Sequence, residues 1–279
     1  MNKTLILIQC NDEVGLVTTI TRIIAAHRLN ITAMKEFADE AAGKFFTRIE
    51  CTGNITNPGE LHQELQNHLP ENAIITIDPN PQKKIAILVT KEFHCLADML
   101  VRHFFNTLGA RICCVIGNYD QLKDFTQKFS IPFHSISHED KTKSDFEKEI
   151  LEVLKGYDPD YLVLAKFMRI LSPQFINAYP YKIINIHHSF LPAFIGANPY
   201  RRAFERGVKL IGATAHFVTN ELDEGPIIAQ QTIPVDHTFG VAQMVEEGKE
   251  IEKAVLSKAL QLLLQDRVFV TGNKTIVFE

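Results

Sequence analysis

Residues 4–9 alternate apolar and polar positions as a half-buried strand does. The spacing then changes: Val14, Val17, Ile20, Ile23 and Ile24 recur as one face of a helix running from Val14 to His27, and Asp12 stands where it would cap that helix. Strands over Ile31–Phe37, Gly43–Cys51 and Ala73–Ile77, with a helix over Glu60–His68, complete a β-α-β-β-α-β order, the ferredoxin-like α+β pattern. Pro79-Asn80-Pro81-Gln82 reads as a linker, which predicts two domains, 1–80 and 81–279.

Beyond the linker the pattern becomes strands alternating with helices. Strands are expected over Lys84–Val89, Arg111–Ile116, Phe133–Ser135, Tyr161–Ala165 and Lys182–Asn185, and helices near 94–106, 121–129, 144–155 and 173–178. Such alternation predicts a Rossmann-like, mostly parallel sheet covered by helices. Thr214–Val218 and Ile227–Ile233 read as late strands with room for an antiparallel pair, and a long helix is expected from Val241 to Gln265.

The chemistry concentrates at the end of one of these strands. Asn185 and His187 follow the apolar run Tyr181–Ile184, where ligands bind in open α/β sheets. Period-two alternation predicts that Asn185 and His187 face the same crevice while His188 faces away. Downstream, Leu222-Asp223-Glu224-Gly225-Pro226 would return a carboxylate to them along a path fixed by the Gly-Pro turn. An amide and an imidazole can donate to an oxyanion, and a carboxylate can orient the imidazole or accept a proton, so the trio suits attack by water or an amine on an acyl carbon. The same residues also fit a buried Asn and His paired at a strand end, with Asp223 in a turn. His188 beside His187 invites a metal reading, but their divergence and the lack of a suitably spaced Cys or His predict no metal.

Composition narrows the picture. The chain has 279 residues, 46% hydrophobic, and a net charge of −4 without a basic stripe, which argues against nucleic acid as partner. Five cysteines without CxxC spacing point to reduced thiols in a cytosol, and the short apolar N-terminal run, followed by acids, predicts a strand with no membrane span or signal.

The stretch from Met168-Arg169-Ile170-Leu171-Ser172-Pro173 through NIHHSFLPAFIGANPY to GATAHFVTNELDEGPIIAQQ resembles the folate-dependent formyltransferase family, most closely its hydrolytic, deformylating branch, over nearly the whole chain. The resemblance implies that Asn185, His187 and Asp223 are catalytic. It implies 10-formyl-tetrahydrofolate as substrate, no separate cofactor, water as nucleophile, formate and tetrahydrofolate as products, and a place in balancing one-carbon pools for purine synthesis. Pterin recognition in the family uses backbone groups, implying Arg169, Leu171, Val218 and Thr219 here. A ribonucleotide-accepting transformylase would carry a glycine-rich turn after the first strand of this domain; Lys91-Glu92-Phe93-His94-Cys95 is bulky instead, and its K-E-x-H-C pattern is what the deformylating branch leads one to expect. His94 and Cys95 read equally as taking a direct part in the site or as, respectively, a solvent-facing helix start and a small core residue. Tyr200-Arg201-Arg202-Ala203 departs from the branch, where His-Gln or His-Lys more often follows the Tyr. In the first domain, Asp12-x-x-Gly15 and Asn30-Ile31 resemble the ACT pattern, which implies an amino-acid effector, glycine or methionine, near Asp12, Gly15 and Asn30, or a purely oligomerising module. An exposed edge strand there predicts a homo-oligomer. The two alternatives kept open are a formyltransferase with another amine acceptor and a non-catalytic folate-binding or amino-acid-sensing regulator.

Overall fold

The computed structural model describes residues 3–55, 57–193 and 199–279, so residues 194–198 of the FLPAFIGANPY motif lie outside the described residues. The chain divides into two compact units, Met1–Pro81 with Ile276–Glu279, and Gln82–Thr275. No helix among the described residues is long and apolar enough to cross a membrane.

The first unit has the β-α-β-β-α-β order: β1 (Lys3–Asn11), α1 (Leu16–Ala26), β2 (Asn30–Asp39), β3 (Lys44–Thr52), α2 (Pro58–His68) and β4 (Ile74–Ile77). Its sheet runs β2-β3-β1-β4 with all neighbours antiparallel. Alternate residues of β1, Ile6, Ile8 and Cys10, are buried against Ile20, Ile23, Ile24, Leu61 and Leu65 of the two helices. Asn57 caps α2, its side chain accepting from the backbone of Gly59 and Glu60, with Pro58 at the first helical position. The start of α1 differs from the sequence reading. Gly15, with φ 94, is the N-cap and no side chain caps the helix, so Asp12 has no such role; its backbone N–H donates to Gly43 O instead. Starting at Leu16 puts Leu16, Ile20, Ile23 and Ile24 on the buried face and leaves Val14 fully exposed.

The second unit contains β5 (Lys84–Val89), α3 (His94–Phe104), β6 (Arg111–Gly117), α4 (Lys123–Gln127), β7 (Phe133–Ser135), α5 (Lys143–Tyr157), β8 (Tyr161–Ala165), α6 (Pro173–Ala178), β9 (Ile183–His187), α7 (Pro199–Arg206), β10 (Leu210–Phe217), β11 (Ile227–Pro234) and α8 (Val241–Leu264). The sheet order is β11-β10-β9-β8-β5-β6-β7. The five strands from β9 to β7 are parallel, and β10 runs antiparallel to both β9 and β11. Both faces are covered. In β5, Ile85, Ile87 and Val89 join one core with α3 and α8, whereas Ala86 and Leu88 join the other with Phe146 and Ile150 of α5. From β5 the chain builds outward to β6 and β7 on one side and then crosses back to β8 on the other, a reversal of strand order that opens a crevice at the carboxyl ends of these strands. β9 begins at Ile183, later than the sequence predicts; Tyr181 has φ 54 and lies half-exposed in the preceding turn.

Candidate active site

Asn185 and His187 share a face of β9, and the neighbouring strand fixes what stands opposite them. In the antiparallel β9–β10 ladder Asn185 faces His216 and His187 faces Thr214. Directly opposed side chains on one face touch. His216 Nδ1 donates to Phe217 O at 2.8 Å, so its Nε2 accepts from the Asn185 amide, Nδ2 to Nε2 3.2 Å. That bond orients the amide of a residue that lines the cavity and uses one of its two N–H groups. Thr214 anchors the segment after β9: its Oγ1 donates to Ser189 O and accepts from the backbone N–H of Leu191, and Gln230 bonds both Thr214 Oγ1 and Leu191 O.

Asp223 returns through the loop between β10 and β11. The N–H of Phe217 donates to Pro226 O at 2.9 Å, drawing the two ends of the loop together. Gly225 is required at this closure, since a Cβ there would lie 1.8 Å from the Phe217 carbonyl oxygen. Asp223 adopts φ 58, a left-handed conformation that Asp tolerates better than most residues, and its Oδ1 lies 3.4 Å from His187 Nδ1 and 3.8 Å from His216 Nε2. The trio expected from sequence therefore converges. The His187 imidazole holds the Asp223 carboxyl below its ordinary range against the opposing effect of burial. With Nδ1 turned to Asp223, His187 Nε2 is buried and has no hydrogen-bond partner among the described residues.

A cavity of about 280 Å³ opens on the trio. Arg169, Leu171, Val218 and Thr219, the four residues expected to recognise a pterin, all line it. The backbone N–H of Val218 donates to Ile183 O and is not available to a ligand. Met168 and Ile170 are 62% and 63% exposed and, with Leu222, form apolar walls of the kind that hold a flat ring.

Two expectations need correction. His188 does not face away from His187: the rings stack at 5.1 Å with 23° between planes, and both line the cavity, because β9 ends at His187 and alternation ends with it. Burial, then Lys166 and His187, lowers the His188 pKa to about 4, so this ring is neutral at pH 7. Of the three bulky residues expected to fill the turn after β5, Phe93 is 57% exposed and Cys95 joins the core. Of the three only His94 lines a cavity there; it opens α3, as read, but is 5% exposed and does not face solvent.

That second cavity, about 590 Å³, shares Lys166, Met168 and His188 with the first. At its wall Glu252 of α8, 1% exposed, accepts from Tyr200 Oη at 2.9 Å, pairs with His94 Nε2 at 2.7 Å, and lies 3.2 Å from the Lys166 ammonium. Burial alone would raise the Glu252 carboxyl, but His94 and Lys166 outweigh it and bring the pKa down to about 2. His94, Cys95 and Glu252 lie close enough to hold a cation, yet the Lys166 ammonium already neutralises the carboxylate and burial pushes the Cys95 thiol up, away from the thiolate a metal needs. Sequence reasoning missed Lys166 and Glu252. The available signals were a lysine directly after the buried strand Tyr161–Ala165 and an acid on the apolar stripe of α8 beside Ile251, Val255 and Leu256.

A formyl transferase family model matches residues 83–260. A curated formyltetrahydrofolate deformylase from Haemophilus influenzae is 49% identical over 277 residues, spanning 99% of each chain. The crystal structure of a formyltetrahydrofolate deformylase from Pseudomonas syringae pv. tomato superimposes with a TM-score of 0.93 at 37% identity, over 99% of this chain and 94% of that one. A glycinamide ribonucleotide transformylase from Symbiobacterium toebii matches with a TM-score of 0.69 at 27% identity, over 72% of this chain and 96% of its own.

Two outcomes are expected from this geometry. Gly225→Ala forces the loop off Phe217 and should lower unfolding free energy by about 1–3 kcal/mol, read from denaturant midpoints; an unchanged midpoint would show that the close approach is dispensable. For Glu252 the folded-state pKa is depressed, so its contribution is present above the ordinary value of 4.5 and is lost as pH falls toward about 2. The stability gap between wild type and Glu252→Gln should therefore narrow, by on the order of 3 kcal/mol, across that window; a pH-independent gap counts against the network.

Proposed function

The chain belongs to the formyl transferase family, and from that membership we infer a deformylase, which hydrolyses 10-formyltetrahydrofolate with water to formate and tetrahydrofolate. The observation that carries the site assignment is the meeting of the Asn185 amide, the unpartnered His187 Nε2 and the Asp223 carboxylate at one cavity.

In our reading Asn185 donates its second amide hydrogen to the oxyanion that forms when water adds to the formyl carbon. With its Nδ1–H directed at Asp223, His187 keeps Nε2 basic; it takes a proton from the water and delivers one to N10 of the departing folate. Asp223 stays ionised and stabilises the imidazolium in between. Met168, Ile170 and Leu222 would sandwich the pterin, with Arg169, Leu171, Val218 and Thr219 supplying backbone groups. Water as nucleophile is supported by the turn after β5, which lacks the glycines that would let backbone amides cradle an acceptor phosphate. No cofactor besides the folate substrate enters this scheme.

For the first unit we propose an ACT-type role, sensing glycine or methionine near Asp12, Gly15 and Asn30 or joining copies of the chain through the exposed edge strand β2. Five buried thiols free of disulfides fit a reducing cytosol, where we place the enzyme in balancing the one-carbon pool used for purine synthesis.

The test is incubation of pure protein with 10-formyltetrahydrofolate and no amine. Stoichiometric formate and tetrahydrofolate are expected, lost in His187→Ala and reduced about 10²- to 10³-fold in kcat in Asn185→Ala with the fold intact. Formate that appears only when an amine is added would return the site to a transferase, and tight folate binding without turnover to a regulator.

A further inference from the structure

The second cavity contains a carboxylate–imidazole pair that the trio does not use. Glu252 Oε2 lies 2.7 Å from His94 Nε2, and the two side chains are 1% and 5% exposed. The ionised carboxylate accepts from His94 Nε2–H, which in the neutral imidazole leaves the lone pair on Nδ1. Nδ1 is buried and has no hydrogen-bond partner among the described residues. The nearest acid, Glu92, is 3.7 Å away, beyond hydrogen-bond reach, and is itself paired with Lys249 at 2.9 Å.

A buried acceptor on a side chain that lines a cavity calls for a donor. Here the imidazole is locked in one tautomer by its carboxylate, the arrangement in which a second nitrogen is left to handle a substrate proton. Glu252 cannot serve that purpose directly, since Tyr200 and Lys166 occupy its remaining lone pairs. The cavity has ample room for water and meets the folate cavity at Lys166, Met168 and His188. Lys91, Lys166, Arg201 and Lys249 line it against Glu92 and Glu252, an excess of positive charge that disfavours a protonated amine and leaves water unaffected.

We propose that this cavity is the water chamber of the hydrolase, and that His94, held by Glu252, binds water there through Nδ1 and supplies the nucleophile across the wall formed by Lys166 and His188. The inference rests on the hydrolytic reading above. In the step it serves, a water lone pair forms the new C–O bond as the formyl π pair moves onto oxygen. One water proton passes by way of His187 to N10 as the C–N bond breaks. The hydroxyl stays on the product acid, which releases its proton to solvent as formate. His94 orients water and gains no net proton over the cycle.

Two substitutions separate this role from packing. His94→Gln keeps an amide N–H at the position of Nε2, able to donate to Glu252, but has no acceptor in place of Nδ1. His94→Asn does the reverse, with a carbonyl near Nδ1 and no bond to Glu252. In His94→Gln, kcat for formate release should fall about ten- to a hundredfold, below the full range of general acid–base assistance, while KM for 10-formyltetrahydrofolate and Tm hold within about twofold and a few degrees. His94→Asn should keep more of kcat than His94→Gln while losing more stability. Wild-type kcat in His94→Gln, or losses of kcat that simply follow the losses in Tm, would overturn the proposal. If His94→Gln does not fold, His94→Asn decides alone: retained kcat supports the chamber, and a native Tm with kcat abolished overturns it. A wild-type enzyme that makes no formate without an amine would refute the hydrolytic reading itself, a result visible before any variant is made.

Discussion

The antiparallel register of β9 against β10 is the constraint on which the site depends. Ile184 and Ile186 lie in the same core cluster as Ala213, Ala215 and Phe217, all nearly inaccessible to solvent. Burying those five residues on one face leaves Asn185 and His187 on the other, opposite His216 and Thr214. A slip of one residue would put two isoleucines in the cavity and bury an amide and an imidazole in the core, an exchange of several kcal/mol against the fold. Hydrophobic burial, which is indifferent to catalysis, thus sets the polar geometry to within the reach of a hydrogen bond.

A half-buried carboxylate, Asp223, and a buried one, Glu252, flank that strand end, and each is matched to an imidazole. Asp223 reaches His187 from a loop closed at Gly225, where backbone approaches backbone too closely for any side chain. Glu252 reaches His94 from a helix whose other buried neighbours are aliphatic. Neither charge would be tolerated alone, since an unpaired ion in such surroundings costs several kcal/mol. Lys166 links the two systems: it pairs with Glu252, borders both cavities and helps keep His188 neutral. Lys166, Met168 and Asp223 all have positive φ near 60°, and strained backbone of that kind persists where surrounding contacts over-determine it.

What was legible in the sequence follows from how local each feature is. The strand and helix order came from periodicity, because each element repeats its pattern over several residues. Asn185 and His187 could be assigned to one face because both lie inside a strand, where period two holds; His188 could not, because the strand ends one residue earlier. The cap of α1 was misplaced for a similar reason, as a two-residue shift of a helix start moves Val14 from the buried face to solvent. Asp223 is a loop residue whose return to the strand no periodicity encodes; the Gly225-Pro226 turn offered a path for it, and the resemblance implied its role. The Lys166–Glu252 pair joins the end of β8 to α8, and a contact so distant along the chain leaves only an out-of-place charge at each end.

An amide, an imidazole and a carboxylate around an acyl carbon do not by themselves choose a nucleophile, since the oxyanion they stabilise is the same whether water or an amine attacks. The choice must come from what approaches. An amine at neutral pH is mostly an ammonium and must lose a proton before it can attack, so every nearby positive charge lowers its occupancy of the approach path. Water carries no charge and pays no such cost. If the proposed chamber holds, a cavity lined by Lys91, Lys166, Arg201 and Lys249 against Glu92 and Glu252 would filter nucleophiles by its net charge before any catalytic group acts on them. On a scaffold whose reacting groups suit either chemistry, the residues that set this local charge would then decide which reaction is run.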